Sequence, residues 1–394
     1  MWKALYAIIW LVAIAGPLAE VGARHFHNHS HVRRRVPPQL MLDQYMSYKD
    51  MMEYLDRLAL AYSDRLTLQD VGRSYERREL RIARITNGIA QPNKKVIFMD
   101  AALHAREWTT PITALYVIHQ LVVESRENAY LLENTDWVIL PLANPDGYEY
   151  SRNNNFWWRN TRKPNVNNCY GTNLNRNFGL GWGEGFTELK DPCDENYAGT
   201  EPFSESESRA VRDIMHSLVD NKIGFMYLSL HTANRSIFYP WVNEPSPIHN
   251  NHEHEEIAQY AAARIRSSTG TIIKPNQGFK YGGRIGGTSV DYAFSLGFPL
   301  SFVFEMSGMG PNGVEYKFFP PANYIRYLVH ESWMGIRALG EKAIEKYPPT
   351  RPMYFPQHHN HVENSAPKNR NFLNNIMWKI TSMMGHALSH LPLF

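Results

Sequence analysis

The chain has 394 residues, 43% hydrophobic and 20% charged, enough to build a sizeable core and too apolar for an intrinsically disordered polymer. A formal net charge of only +3 sets up no global field for nucleic acid, and the single basic run is Arg33-Arg34-Arg35.

Met1 to Ala23 reads as a secretory signal: Lys3 supplies the positive end, Ala4 to Ala15 the apolar core, and small residues follow near Ala19 and Ala23. That core is shorter than the roughly 20 residues a spanning helix needs. The mature protein is therefore expected to be secreted. In that compartment Cys169 and Cys193 are expected to pair rather than stay as free thiols, closing a loop of about 25 residues worth roughly 3 kcal/mol of chain entropy. Asn28-His29-Ser30 and Asn234-Arg235-Ser236 are glycosylation sequons that agree with this route.

Residues 24–40 form a basic leader in which His25, His27, His29 and His31 alternate; it reads as solvated chain, with Arg33 to Arg35 a processing site. The folded part is expected over residues 41–347. Tyr48 to Ala61 has apolar residues at helical spacing behind a capping Ser47, and Leu66 to Val71 and Leu80 to Ile85 alternate like strands. Val96-Ile97-Phe98 is a short buried strand leading into Ala101-Ala102-Leu103 and then His104-Ala105-Arg106-Glu107-Trp108. An imidazole and a carboxylate three residues apart at a strand end can converge on one cation. Pro111 is expected to open a helix over Ile112 to Val123. Trp137 to Ala143 is a strand, and Asn144-Pro145-Asp146-Gly147 reads as a turn that leads into a long loop from Tyr148 to Pro202.

Further along, Ser204 to Val219 is helical, Ile223 to Leu230 is a strand ending at His231, and Ile237 to Trp241 is another strand. His252 to Ser267 and Ser289 to Leu296 are helical, Leu300 to Phe304 is a strand ending at Glu305, and Pro321 to Ile344 is a long helix. His252, Glu253, His254, Glu255 and Glu256 read as a solvated helix start. Strands interleaved with helices predict a single α/β domain, a mixed and mostly parallel twisted sheet flanked by helices. Residues 348–394 read as a Pro- and His-rich linker and a tail, with a docking or frayed helix favoured over contact with a membrane surface.

Taken together, HAREW at 104–108, NPDGY at 144–148, WWRNTR at 157–162, GTNLNRNF at 171–178, LSLHT at 228–232, GTSVDYAF at 287–294 and FVFE at 302–305 closely resemble the zinc metallocarboxypeptidases of the carboxypeptidase A and B type. The match runs in order from about Leu42 to Tyr347. It implies one zinc ion per chain held by His104, Glu107 and His231, the two-histidine, one-glutamate set known from carboxypeptidase A, with a fourth position for water. It also implies Glu305 as general base and Arg159 as the partner of the oxyanion. Asn175 and Arg176 would hold the substrate's free C-terminal carboxylate, and Arg106 would assist docking. Val290 would sit at the base of the pocket for the terminal side chain; being uncharged, it points to hydrophobic ends and the carboxypeptidase A-like branch. Expected partners are peptide and protein substrates with a free C-terminus and no nucleic acid, and the protein is expected to be a monomer.

Three positions depart from the family pattern. Asn173 stands where an aspartate commonly orients a zinc-bound histidine, and Gly283 where a substrate-clamping tyrosine is found, with Tyr281 nearby. The stretch between Ala23 and Met41 is too short to fold as an inhibitory pro-domain. Asn173 and the missing tyrosine raise a rival expectation, a catalytically impaired relative that binds peptide C-termini. The intact His104, Glu107, His231 and Glu305 argue for the enzyme, because a pure binder has no use for a general base.

Overall fold

The computed structural model describes residues 36–89, 91 and 94–348. The expected signal segment, the expected leader through Arg35, the sequon at Asn28 and residues 349–394 lie outside the described residues. Among the described residues eight strands form one sheet: β1 (Leu66–Arg73), β2 (Glu79–Ile85), β3 (Lys95–Ala101), β4 (Thr135–Leu140), β5 (Gly224–Thr232), β6 (Ser236–Tyr239), β7 (Lys274–Gln277) and β8 (Leu300–Met306). Their order is β1-β2-β4-β3-β5-β8-β6-β7. Pairing is parallel at the centre (β4, β3, β5, β8) and between β6 and β7, and antiparallel at β1–β2, β2–β4 and β6–β8. The expected mixed sheet is present.

Helices cover both faces: α1 (Tyr48–Ala61), α2 (Thr109–Val122), α3 (Pro145–Asn153), α4 (Ser206–Asp220), α5 (Asn251–Thr269), α6 (Phe279–Gly282), α7 (Ser289–Leu296) and α8 (Ile325–Lys346). That coverage explains why the central strands are apolar without a polar face. Along β3, Ile97, Met99 and Ala101 join the core under α1, α2, α5 and α8, while Val96 and Phe98 join the core under α4 and α7. β8 divides the same way, with Phe302 and Phe304 on one side and Val303 on the other. Phe98 is fully buried, so truncation to alanine is expected to cost about 3–5 kcal/mol.

Local chemistry sets several boundaries. Ser47 caps α1 in a capping box with Asp50. α2 begins at Thr109 rather than at Pro111, because Thr110 Oγ accepts from the Ala102 amide (3.0 Å) and donates to the Glu107 carbonyl (2.9 Å), closing the turn after β3. Residues 144–147 do not make a free turn: Asn144 accepts from the Gly147 amide at 3.0 Å, Pro145 occupies the first helical position, and the two start α3. The solvated reading of residues 252–256 also needs correction at His254. It is wholly buried, its Nδ1–H donating to the Asn250 carbonyl (3.2 Å) and its Nε2 accepting from the Ser301 amide (3.1 Å). Burial accordingly lowers its pKa to about 4. Cys169 and Cys193 form the expected disulfide, with Cα atoms 5.1 Å apart. Among the described residues no helix is long and apolar enough to cross a membrane.

Candidate active site

The carboxyl ends of β3, β5 and β8 lie side by side, and each delivers one polar side chain. β3 runs into the turn carrying His104 and Glu107, β5 carries His231, and β8 carries Glu305 directly opposite His231 in the parallel register. His104, Glu107 and His231 are buried, and one ligand atom from each lies within 4.8 Å of the others. Glu107 Oε1 is 2.7 Å from His104 Nδ1, Glu107 Oε2 is 3.1 Å from His231 Nδ1, and the two Nδ1 atoms are 3.1 Å apart.

The outer nitrogens of both rings fix which proton each carries. Asn173 Oδ1 lies 3.1 Å from His104 Nε2, so that nitrogen donates. Ser229 Oγ donates to buried Asp100 (2.7 Å) and is thereby free to accept from His231 Nε2 at 3.1 Å. Tyr227 also donates to Asp100. Both Nδ1 atoms are then bare, and with the Glu107 carboxylate they form three inward-facing acceptors, a donor set that suits a divalent cation such as zinc. The electrostatics agree. Burial opposes a charge on Glu107, yet His104 and His231 outweigh it and hold the carboxyl far below its usual range. Burial likewise opposes a charged His231, but Glu107 prevails and raises its pKa, so the carboxylate draws positive charge, a proton or a metal ion, to Nδ1 of His231.

Around this cluster the structure gathers the other residues singled out in the sequence. The Ala105 amide donates to the Arg159 carbonyl at 2.9 Å, which brings Arg159 Nη1 to 3.7 Å from Glu107. Arg176 donates from Nη1 to the Asn175 carbonyl (2.7 Å), and Asn175 Oδ1 accepts from the Ser289 amide (2.9 Å), tying this turn to the start of α7. Gly287 is required there: its φ is +72°, and a Cβ would lie 2.1 Å from the Arg176 carbonyl oxygen. Nε of Arg159 and of Arg176 is buried with no hydrogen-bond partner, and so is Oε2 of Glu305. Burial lowers the Arg176 pKa to about 9, with Arg159 adding to the effect, and burial raises that of Glu305 to about 7. Val290 is fully buried one residue beyond Ser289. Arg106 is more occupied than expected, paired with Glu195 (2.7 and 3.2 Å), donating to the Trp157 carbonyl (3.1 Å) and lying over the Phe318 ring. At Gly283 the backbone has φ +76°, which suits glycine at the position of the missing tyrosine.

Sequence reasoning missed Glu195, Asp100 and Ser229. Asp100 carried a signal, a carboxylate inside an otherwise apolar buried strand. Glu195 carried none, since it lies in an irregular polar loop.

Comparison with known proteins agrees with this geometry. The zinc carboxypeptidase family model matches residues 51–335. A carboxypeptidase B of Helicoverpa zea is 38% identical over 309 residues, covering 76% of this chain and 70% of its own. A carboxypeptidase B of Astacus astacus is 30% identical over 77% of this chain and 98% of its own. The crystal structure of a carboxypeptidase A from Helicoverpa armigera superposes with a TM-score of 0.73 at 30% identity, over 80% of this chain and 77% of that one. A cation-ready His-Glu-His cluster at the strand ends, on a fold shared with these enzymes, makes this chain a member of the zinc carboxypeptidase family, a zinc-dependent peptide hydrolase.

Proposed function

We propose that the protein is a secreted exopeptidase that removes a single, hydrophobic C-terminal residue from peptides and proteins. The observation that carries the proposal is a cluster of three converging acceptors beside two guanidiniums whose buried Nε donors are unmet. Guanidiniums with buried, unmet donors call for an anionic ligand, and a peptide's C-terminal carboxylate is planar and bidentate like the guanidinium it would meet.

In this reading His104, Glu107 and His231 hold zinc, which when bound lowers the pKa of its water towards ~7 and polarises the scissile carbonyl. Arg176 and the Nδ2 of Asn175 bind the terminal carboxylate, and Arg106 docks the substrate from its place at the mouth. Glu305 takes a proton from the attacking water and passes it to the leaving amine. Its position on a rigid buried strand and its pKa of about 7 suit a group that must do both. Arg159 offers a fixed charge where the oxyanion develops.

The relatives bear both names, carboxypeptidase A and carboxypeptidase B, so selectivity rests on Val290, which brings no charge to bind a basic side chain. Hydrolysis of blocked dipeptides ending in Phe and in Arg, with zinc, with a chelator and with Glu305→Gln, tests each part. Chelator-sensitive release of Phe that Glu305→Gln abolishes is the expected result. Preferential release of Arg refutes the specificity, and stoichiometric zinc binding without turnover of either favours the peptide-binding rival.

A further inference from the structure

In the sheet β8 lies between β5 and β6, parallel to the first and antiparallel to the second. The connection from Thr232 to Ser236, residues 233–235, therefore has to cross the carboxyl end of β8. Glu305 pairs with His231 on one side and with Ser236 on the other, so this short bridge spans the strand end that carries it. Asn234 is the middle residue of the bridge and is exposed. Arg235 ties the bridge down, with Nη1 3.8 Å from Met309 Sδ and Nε 3.6 Å from Glu315. Asn234-Arg235-Ser236 is also a glycosylation sequon. Ser236 is buried and its hydroxyl has no hydrogen-bond partner among the described residues, so none of them makes use of the group that the sequon requires.

We propose that Asn234 is N-glycosylated and that its glycan stands at the rim of the catalytic cleft, admitting slender, flexible C-termini and holding off folded proteins whose C-termini lie close to their surface. The inference rests on the secretion and the exopeptidase activity proposed above. In the transfer, Asn234 Nδ2 bonds to the anomeric carbon of an oligosaccharide. The bond from that carbon to the pyrophosphate of a lipid-linked donor breaks, and one Nδ2 proton is lost as the lipid pyrophosphate departs. Transfer takes place on the unfolded chain, where Ser236 is accessible; folding then buries the serine and leaves Asn234 outside, where a bulky, solvated sugar can stand. Two residues of extended chain separate Asn234 from Ser236, and one strand spacing separates Ser236 from Glu305, so the Cα atoms of Asn234 and Glu305 lie within roughly 12 Å. A glycan rooted that close shares the entrance with any substrate that reaches Glu305.

The test uses the full chain secreted from eukaryotic cells, with Asn234→Gln and Ser236→Ala alongside. Mass spectrometry of proteolytic peptides is expected to find a glycan on Asn234 in the wild type and in neither variant, whatever Asn28 carries. Loss of the glycan is expected to raise kcat/KM by about fivefold or more on a folded domain whose C-terminal Phe ends a short tail. On a blocked dipeptide ending in Phe, and on the same domain with a long flexible tail, the change is expected to be less than about twofold. The two variants remove the sugar by changing different side chains, so agreement between them assigns the effect to the glycan. Should one variant not fold, the other decides; should neither fold, wild type carrying high-mannose chains and trimmed under native conditions to one sugar gives the same comparison. Secreted wild type bare at Asn234 overturns the proposal, as does an equal gain on every substrate or no gain on the short-tailed domain. Wild type that stays inside the cell refutes the secretion, and secreted wild type that releases Phe from none of the substrates refutes the exopeptidase reading; either result takes the proposal with it.

Discussion

The site is made of two regions built on different principles. His104, Glu107, His231 and Glu305 stand at or just beyond the ends of β3, β5 and β8, whose hydrogen-bond register and doubly buried side chains fix them within a rigid sheet. Arg159, Asn173, Asn175, Arg176 and Glu195 lie on irregular chain between α3 and α4, where individual side chains supply the bonds a sheet would. There Asn144 holds the Leu103 and Asn160 carbonyls, Asn177 holds those of Ala198 and Glu201, and a disulfide closes the loop. In the proposed mechanism the strand ends decide where the bond is cut, and the loops decide what is held for cutting.

Under that division, damage at the strand ends is expected to fall on chemistry and damage in the loops on fit. The largest effect is expected from Glu305→Gln, a loss of about 10²–10⁴ in kcat with zinc content unchanged. With Glu305 as the proposed general base, wild-type activity is expected to rise with pH as Glu305 ionises. The carboxyl sits near about 7 from burial, and the charge of bound zinc lowers it, so the acid limb lies below pH 7 and vanishes in the variant. Next is Arg159→Lys, expected to lower kcat by about 10²–10³ because an ammonium cannot reproduce the guanidinium's placed donors. A loss confined to KM would move Arg159 into the holding group and blur the comparison.

Asp100→Asn is expected to weaken zinc binding about 10–100-fold, since an amide no longer anchors Ser229 as a carboxylate does; a chelator competition reads it. Glu195→Gln leaves zinc affinity intact, because only the backbone of Glu195 touches Asn173, and raises KM by less than about fivefold through Arg106 at the half-exposed mouth. Smallest is a pH effect far from the chemistry. Burial raises the pKa of Glu207 to about 7, so the native state keeps a proton that the unfolded chain releases near its ordinary value. Stability is therefore lost as pH rises from about 4.5 to 7 and then levels off. In urea titrations Glu207→Gln should flatten that slope; an unchanged slope assigns the burden to another group.

The strand-end half was legible in the sequence because apolar runs, and the polar residue that ends each, survive without knowledge of neighbours. His231 and Glu305 were found that way, and the sheet aligned them. The loop half was legible only through its resemblance to a family, since no periodicity places Arg159 beside Glu107. Two readings failed for local reasons. Asn144-Pro145-Asp146-Gly147 is turn-like in composition, but an asparagine before a proline is also how a helix begins. His254 sits among charged residues on a helix, and nothing in that pattern reveals that its side faces Phe302 and the Ser301 amide. The amide of Asn173 looked like a lesion because its partner, a main-chain carbonyl, has no sequence signature.

The amino end of β3 has a practical bearing. There Lys95 donates to the carbonyls of Tyr347 and Pro348, holding the last described residues at the start of the strand whose other end leads to His104. Seven residues of extended chain, about 23 Å, separate the two places. A tether attached at Pro348 itself thus leaves the domain at the end of β3 opposite the one that leads to His104.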